Sequence, residues 1–228
     1  MPVQSMKLVL LDCDGTLVDS QQAIVLAFNA AWRAAGLDEP DSQTVRRLVG
    51  TPLTEAIGVL LPGADDWFVR RLAGLYRDAY YGGHQHPEHD DEPLFPGVRE
   101  ALQAMRGAGL LMGVATGKSF RGLTALLERH GIADWFATLQ TADRVLGKPN
   151  PDMVYRAQEE IGLESRDIVV VGDTSHDIEM ALRAGVGAVG VAWGYHSVHD
   201  LQKAGARRIA GCREELPRMV FDALGISR

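Results

Sequence analysis

The stretch LVLLDCDGTLVDS, residues 8–20, runs from four apolar residues directly into two neighbouring aspartates, Asp12 and Asp14. A short continuous apolar run is typical of a strand buried on both faces of a parallel sheet. Successive side chains of a strand point to opposite faces, so both carboxylates can face one way while Cys13 turns toward the core. Taken alone, the pair fits a turn, a calcium-binding loop or a catalytic pair.

The rest of the chain predicts the fold into which this strand is built. Similar apolar runs recur at residues 110–116, 167–173 and 188–193, and helical patterns lie between them. Strands that alternate with helices predict an α/β fold, in which a Rossmann-like, mostly parallel sheet is flanked by helices.

Residues 20–81 differ from this pattern, because they contain successive helical segments and no clear strand. We interpret them as a small all-helical cap domain inserted after the first strand. The expected division assigns residues 1–17 and 93–228 to the α/β catalytic core and residues 18–92 to the helical cap.

Composition restricts the functional classes. The chain has 228 residues and a formal net charge of −7, which disfavours nucleic-acid binding because that requires basic surface. Its two cysteines are far apart in sequence and suggest no disulfide framework. The first apolar run is too short for a signal peptide or a membrane span, so we expect a cytoplasmic protein with no membrane partner.

Three segments resemble known ligand-binding motifs but lack the spacing or the structural context that those motifs require. Residues 113–119, GVATGKS, have three residues between their glycines where a phosphate-binding P-loop needs four. The sequence GVGAVG at 185–190 follows a helix and opens a strand, the reverse of a dinucleotide-binding turn. A calcium loop that began at Asp12 would need glycine and glutamate where Leu17 and Ala23 stand.

Oxygen-bearing side chains follow several of the predicted strands. Ligands of open α/β sheets bind at the carboxyl ends of the strands, where we expect Asp12, Asp14, Thr116, Asp173 and Asp177. Carboxylates gathered in one place repel each other and need a cation to remain ionised together. Oxygen ligands select a hard divalent ion, usually Mg²⁺ where phosphate completes the shell. Lys148 is the basic candidate for the same site.

At this point the sequence resembles a known family. The segments DCDGTLVDS (12–20), VATG (114–117), GKPNPDM (147–153) and GDTSHDIEMA (172–181) resemble the motifs of the haloacid-dehalogenase-like hydrolases, in the same order. The resemblance covers essentially the whole chain. It is strongest to the phosphoglycolate-phosphatase-like group, whose helical cap is inserted after the first motif.

The resemblance implies a set of catalytic roles. Asp12 would attack phosphorus and become an aspartyl phosphate, and Asp14 would protonate the leaving oxygen and then activate water. Thr116 and Lys148 would hold the phosphoryl oxygens, and Gly117 would also bind the substrate. The residues alone do not decide which aspartate attacks, and Thr116 could instead cap the following helix.

The resemblance also implies a metal site. Asp12, Asp173 and the backbone carbonyl of Asp14 would bind Mg²⁺, and Asp177 would support the ion directly or through water. Asp177 could alternatively be a negative charge that complements the N-terminus of the helix that follows.

Two features bear on the substrate. The second motif of the family often reads Thr-Asn, whereas this chain has Gly117 and then Lys118, which would either bind an anion or be solvated on the next helix. In the predicted cap, Arg47 could contact a carboxylate or second phosphate of the substrate, or form a solvated helix face with Arg46.

The function predicted from these features is a Mg²⁺-dependent phosphatase that acts on a small phosphorylated metabolite, with 2-phosphoglycolate as one candidate. The alternative is a phosphosugar mutase of the β-phosphoglucomutase type, which would share the motifs and release little free phosphate. We expect this protein to be a monomer or a homodimer.

Overall fold

The structure, a computed structural model, describes residues 6–83 and 92–226. The chain divides into two compact units. The core unit comprises Met1–Val18 and Leu94–Arg228, and the helical unit comprises Asp19–Pro93.

The core unit is built on a sheet whose described strands all run parallel. In chain order, its six strands are β1 (Leu8–Leu11), β2 (Leu111–Thr116), β3 (Thr138–Thr141), β4 (Ile168–Gly172), β5 (Gly187–Val191) and β6 (Ile209–Ala210). Across the sheet, the order is β3-β2-β1-β4-β5-β6. The sequence predicts β1, β2, β4 and β5, and does not predict β3 or β6.

The helical unit contains the first four helices of the chain. They are α1 (Gln21–Ala34), α2 (Ser42–Arg47), α3 (Leu53–Leu60) and α4 (Asp66–Gly83). The aromatic rings of Phe28 on α1 and Tyr76 on α4 lie 4.7 Å apart between centroids, and the ring of the buried Trp32 lies 5.6 Å from that of Phe28. The described part of this unit, residues 19–83 with 92 and 93, contains no strand.

Helices cover both faces of the sheet. Those of the core unit are α5 (Val98–Gly107), α6 (Phe120–Arg129), α7 (Asp152–Ile161), α8 (Ser175–Arg183), α9 (Val198–Lys203) and α10 (Leu216–Ala223). Val9 and Leu11 of β1 belong to the hydrophobic cluster that includes α5, α6 and α10, whereas Leu8 and Leu10 belong to the cluster that includes α7 and α8. Because both faces are covered, β1 is apolar along its whole length. The predicted α/β fold class is confirmed.

The strand order determines where the functional side chains meet. The chain proceeds from β1 outward to β2 and β3, and then returns to place β4 on the other side of β1. This reversal is a topological switch point, the place where ligands bind in open α/β sheets. The amide of Asp12 donates to the carbonyl of Val171, so the β1–β4 pairing continues to the first aspartate.

None of the helices in the described part of the chain combines the length and the apolar character needed to cross a membrane.

Candidate active site

Asp12 follows β1 and is nearly buried, with 7% of its surface exposed. Its Oδ1 lies 2.7 Å from Nζ of Lys148 and accepts a hydrogen bond from the amide of Cys13. Burial raises the pKa of the Asp12 carboxyl to about 7, a rise that Lys148 opposes and the charge of Asp177 increases. Cys13 is fully buried in the core, as predicted from the alternation along the strand.

Lys148 forms ion pairs with two of the predicted acids. Its Nζ lies 2.7 Å from Asp12 and 2.6 Å from Oδ1 of Asp177. Burial alone would lower the pKa of the lysine, but the charges of the two aspartates raise it above its usual value. Lys148 is therefore a charged ammonium at the centre of the site.

Asp177 lies in the first turn of α8 and is fully buried. Its Oδ2 accepts hydrogen bonds from the amide and the hydroxyl of Thr174, and its own amide donates to that hydroxyl in a capping box. One carboxylate oxygen thus fixes the start of the helix while the other faces Lys148. The two interpretations of Asp177, helix charge and site residue, are compatible.

Asp173 follows β4 and is fully buried. Thr16 donates its hydroxyl to Oδ1 at 2.8 Å, and the amide of Tyr195 donates to Oδ2 at 2.9 Å. Burial, together with the charges of Asp12 and Asp177, raises the pKa of Asp173 well above its usual range. These two hydrogen bonds hold the carboxyl group in one orientation.

Asp12, Asp173 and Asp177 form an acidic cluster that fits a metal ion. One ligand atom from each lies within 4.8 Å of those of the other two, and all three residues are buried. The three donors are carboxylate oxygens, the ligands of a hard divalent cation. Three buried acids share the site with one lysine, so all three can be ionised together only if a further cation offsets the remaining negative charge.

Asp14 lies outside this cluster of three carboxylates. Its Oδ1 lies 3.0 Å from Nζ of Lys118, whose side chain is only 3% exposed. The interpretation of Lys118 as a solvated helix residue is therefore wrong, since it is buried just before α6. The expected metal ligand from Asp14 is its backbone carbonyl, which stays a prediction.

The other predicted site residues lie on different elements. Thr116 ends β2, fully buried, and its hydroxyl accepts a hydrogen bond from the amide of Lys118. It does not cap α6, because the N-cap of that helix is Ser119, whose hydroxyl accepts from the amide of Gly122. Gly117 is exposed, with open space where a side chain would stand.

Arg47 is the last residue of α2 in the helical unit and is exposed, as is Arg46. Its predicted contact with the substrate stays a prediction.

Three residues that hold the acids in place were not assigned that role from the sequence. They are Thr16, which donates to Asp173, Thr174, which caps α8, and Lys118, which pairs with Asp14. The spacing of Thr174 and Asp177, with the acid three residues after the threonine, is the sequence signature of a capping box. For Thr16 and Lys118, residue type and spacing give no comparable signal.

Comparison with known proteins adds an independent line of support. The family model for haloacid dehalogenase-like hydrolases matches residues 9–191. A probable phosphatase of Dickeya dadantii, named IndB, is 37% identical over 203 residues, which cover 86% of each chain. A phosphoglycolate phosphatase of Vibrio vulnificus is 31% identical over 204 residues, which cover 86% of this chain and 88% of that one.

The fold also has counterparts among solved structures. The crystal structure of a predicted phosphatase from Clostridium acetobutylicum superposes with a TM-score of 0.85 at 24% identity, covering 96% of this chain and 100% of the other. The match of the family model includes Asp12, Thr116, Asp173 and the loop that carries Lys148. The resemblance seen in the motifs is confirmed: the chain belongs to the haloacid dehalogenase-like hydrolase family and is a phosphatase.

Proposed function

We propose that the protein is a Mg²⁺-dependent phosphatase that hydrolyses a small phosphomonoester through an aspartyl phosphate on Asp12. One observation carries this proposal: Asp12 lies in a cluster of three buried carboxylates at the switch point of the sheet, 2.7 Å from the ammonium of Lys148. A nucleophile, a cation site and a fixed positive charge are thereby close together.

Asp12, Asp173 and Asp177 would hold the Mg²⁺, together with the backbone carbonyl of Asp14. When bound, the ion would neutralise carboxylate charge and polarise the phosphoryl group for attack. The hydrogen bonds from Thr16 and Tyr195 to Asp173 would keep the carboxylate of Asp173 in place.

In the first displacement, a carboxylate oxygen of Asp12 forms a bond to phosphorus as the bond from phosphorus to the leaving oxygen breaks. Asp14 gives its proton to that leaving oxygen, so an alcohol departs. Lys148 and the hydroxyl of Thr116 hold the phosphoryl oxygens, and Lys148 also offsets the repulsion between two anions.

In the second displacement, a water molecule attacks phosphorus and the bond from phosphorus to Asp12 breaks. Asp14, now a carboxylate, accepts the proton from the water, and inorganic phosphate leaves. Both aspartates return to their starting states. The assignment of attack to Asp12 is supported by its place in the acidic cluster beside Lys148, since Asp14 lies outside that cluster.

The first substrate to test is 2-phosphoglycolate, because a relative at 31% identity is named phosphoglycolate phosphatase. The relative at 37% identity is named only as a probable phosphatase, so a wider panel of phosphorylated metabolites is needed. Arg47 is the candidate in the helical unit for recognising a substrate carboxylate.

The test of the proposal is release of inorganic phosphate by the purified protein with and without Mg²⁺. We expect release that requires Mg²⁺, from 2-phosphoglycolate or another small ester of the panel and from p-nitrophenyl phosphate. A phosphosugar mutase would instead isomerise a sugar phosphate and release little phosphate.

Asp12→Asn should reduce phosphate release by more than about 10³-fold, because an amide cannot act as the nucleophile. The matched control is Asp167→Asn, since Asp167 is also a buried aspartate paired with a lysine, but it lies before β4. We expect this control to be about as active as the wild type. Full turnover by the Asp12→Asn variant would remove Asp12 from the mechanism.

A further inference from the structure

We infer that Lys118 is a positioning residue for Asp14: it holds the carboxyl group that passes the proton to the leaving oxygen. This inference rests on the proposed function, in which Asp14 is the proton donor. It adds a second lysine to the site, with a different partner and a different task from those of Lys148.

The contact itself is an ion pair with little access to solvent. Nζ of Lys118 lies 3.0 Å from Oδ1 of Asp14, with side-chain exposures of 3% and 20%. An ammonium group loses its hydration when it is buried, so it is tolerated only where an opposite charge or hydrogen-bond acceptors replace the water. A lysine buried against Oδ1 therefore restricts where the carboxyl group can lie, both while Asp14 carries its proton on the other oxygen and after it has passed the proton on.

Lys118 is itself held in place by its neighbours along the chain. Its amide donates to the hydroxyl of Thr116 at 3.2 Å, and the next residue, Ser119, caps α6. The amide of Phe120 donates to both carboxylate oxygens of Asp143 at 3.1 Å. The backbone on both sides of Lys118 is thus fixed, and adjacent strands β1 and β2 bring it to Asp14.

The two buried lysines serve different carboxylates. Lys148 lies between Asp12 and Asp177, within the acidic cluster. Lys118 pairs with Asp14, which is outside that cluster. Lys148 is therefore placed to act on the nucleophile and the phosphoryl group, and Lys118 is placed to act through the residue that transfers protons.

The different roles of Lys118 and Lys148 predict different effects on substrates with different leaving groups. Proton transfer from a positioned acid contributes about 10²- to 10⁴-fold when the leaving group needs a proton. An alkoxide needs one, whereas p-nitrophenolate is stable enough to leave without one. Loss of Lys118 should therefore slow cleavage of an alkyl phosphate much more than cleavage of p-nitrophenyl phosphate.

The experiment compares benzyl phosphate with p-nitrophenyl phosphate for the wild type and Lys118→Met, with Mg²⁺ present. The quantity measured is kcat/KM, because it covers the steps up to phosphorylation of Asp12 and excludes the later hydrolysis, in which Asp14 also acts. We expect kcat/KM to fall by about 10²-fold for benzyl phosphate and to change little for p-nitrophenyl phosphate.

Lys7→Met is the matched control, since Lys7 also pairs with an aspartate, Asp167, at 3.1 Å, but precedes β1. It should leave the ratio of the two kcat/KM values unchanged. In an Asp14→Asn background, adding Lys118→Met should cause no further loss with benzyl phosphate, because a positioning residue has nothing left to position. Lys118→Gln serves as a second variant if Lys118→Met does not fold.

An equal fall for both esters would overturn the inference, because it would place Lys118 on the phosphoryl group or in the stability of the fold. A further loss in the Asp14→Asn background would overturn it as well. If the wild type released phosphate from neither ester, the failure would instead be that of the proposed function.

Discussion

Glycines set how closely the acids of the active site can approach the backbone. A Cβ atom at Gly172 would overlap the carboxyl group of Asp177, and one at Gly194 would overlap that of Asp173. At Gly15, a side chain would meet Asp173 as well, and the φ angle of +82° already favours glycine. The burial of the acids thus depends on residues that carry no functional group.

Gly172→Ala should therefore damage the site although it adds a single methyl group. The added atom must displace Asp177 or the strand end, which costs about 1–3 kcal/mol in a packed interior and moves Asp177 away from Lys148. We expect a lower free energy of unfolding in urea and slower phosphate release. Gly107→Ala is the control, because nothing lies within 4 Å of a Cβ there, and its stability should be unchanged or higher.

A Gly172→Ala variant as stable and as active as the wild type would mean that the backbone shifts easily at the end of β4. The acidic cluster would then be less rigid than its packing indicates.

Residue type and strand position predicted four acids at one edge of the sheet, and three of them form a cluster, whereas Asp14 lies outside it. Asp12, Asp173 and Asp177 follow or adjoin strands that are recognisable as apolar runs, and the structure brings them together with Lys148. The burial of Lys118 could not be predicted in the same way, because the position of a long flexible side chain depends on a partner from another strand. The roles assigned to these residues stay predictions.

At the level of elements, the start of α8 connects helix stability to the site. The hydroxyl of Thr174 accepts from the amide of Asp177 and donates to its carboxylate, so one side chain both caps the helix and orients an acid. An N-cap hydroxyl stabilises a helix by satisfying an amide that has no partner within the helix.

Thr174→Ala should lower the free energy of unfolding by about 1 kcal/mol, because it removes the cap and the hydroxyl that donates to Asp177. Thr174→Ser keeps the hydroxyl and should retain most of the stability. The midpoint and slope of urea unfolding, followed by circular dichroism, measure both variants. Equal destabilisation by both would attribute the loss to the missing methyl group rather than to the hydrogen bonds.

The elements that sequence alone did not predict are β3 and β6. β3 has the sequence TLQT, in which threonine and glutamine take the place of an apolar run, and β6 comprises only two residues. Both lie at the edges of the sheet, where a strand pairs on one side only. Central strands are covered on both faces and need apolar side chains throughout, so they are the ones that leave a clear pattern.

At the scale of the whole molecule, the fold brings three acidic side chains and one lysine into one buried place. The chain passes through the switch point twice, at the ends of β1 and β4, and the helix after β4 adds the third acid of the cluster. The stability of the metal-free protein is therefore lowered by repulsion and by lost hydration at a site that a cation would stabilise. That the helical unit covers this site as a cap stays a prediction.

Asp173→Asn should therefore change stability in opposite directions with and without Mg²⁺. Without metal, the amide removes the cost of burying an ionisable group beside Asp12 and Asp177 and can still accept the hydrogen bond from Tyr195, so the variant should melt at or above the wild-type temperature. With Mg²⁺ at about 100 times its dissociation constant, the wild type should gain about 2.7 kcal/mol, or roughly 5–10 °C, and the variant should gain little.

Differential scanning calorimetry in EDTA and in increasing Mg²⁺ measures both effects on one sample series. Asp167→Asn should keep the rise with Mg²⁺, because Asp167 precedes β4 and pairs with Lys7 away from the cluster. If Asp173→Asn showed the same rise as the wild type, Asp173 would not be a ligand. If it melted well below the wild type in EDTA, the hydrogen bonds of its carboxylate would stabilise the metal-free fold by more than charge repulsion destabilises it.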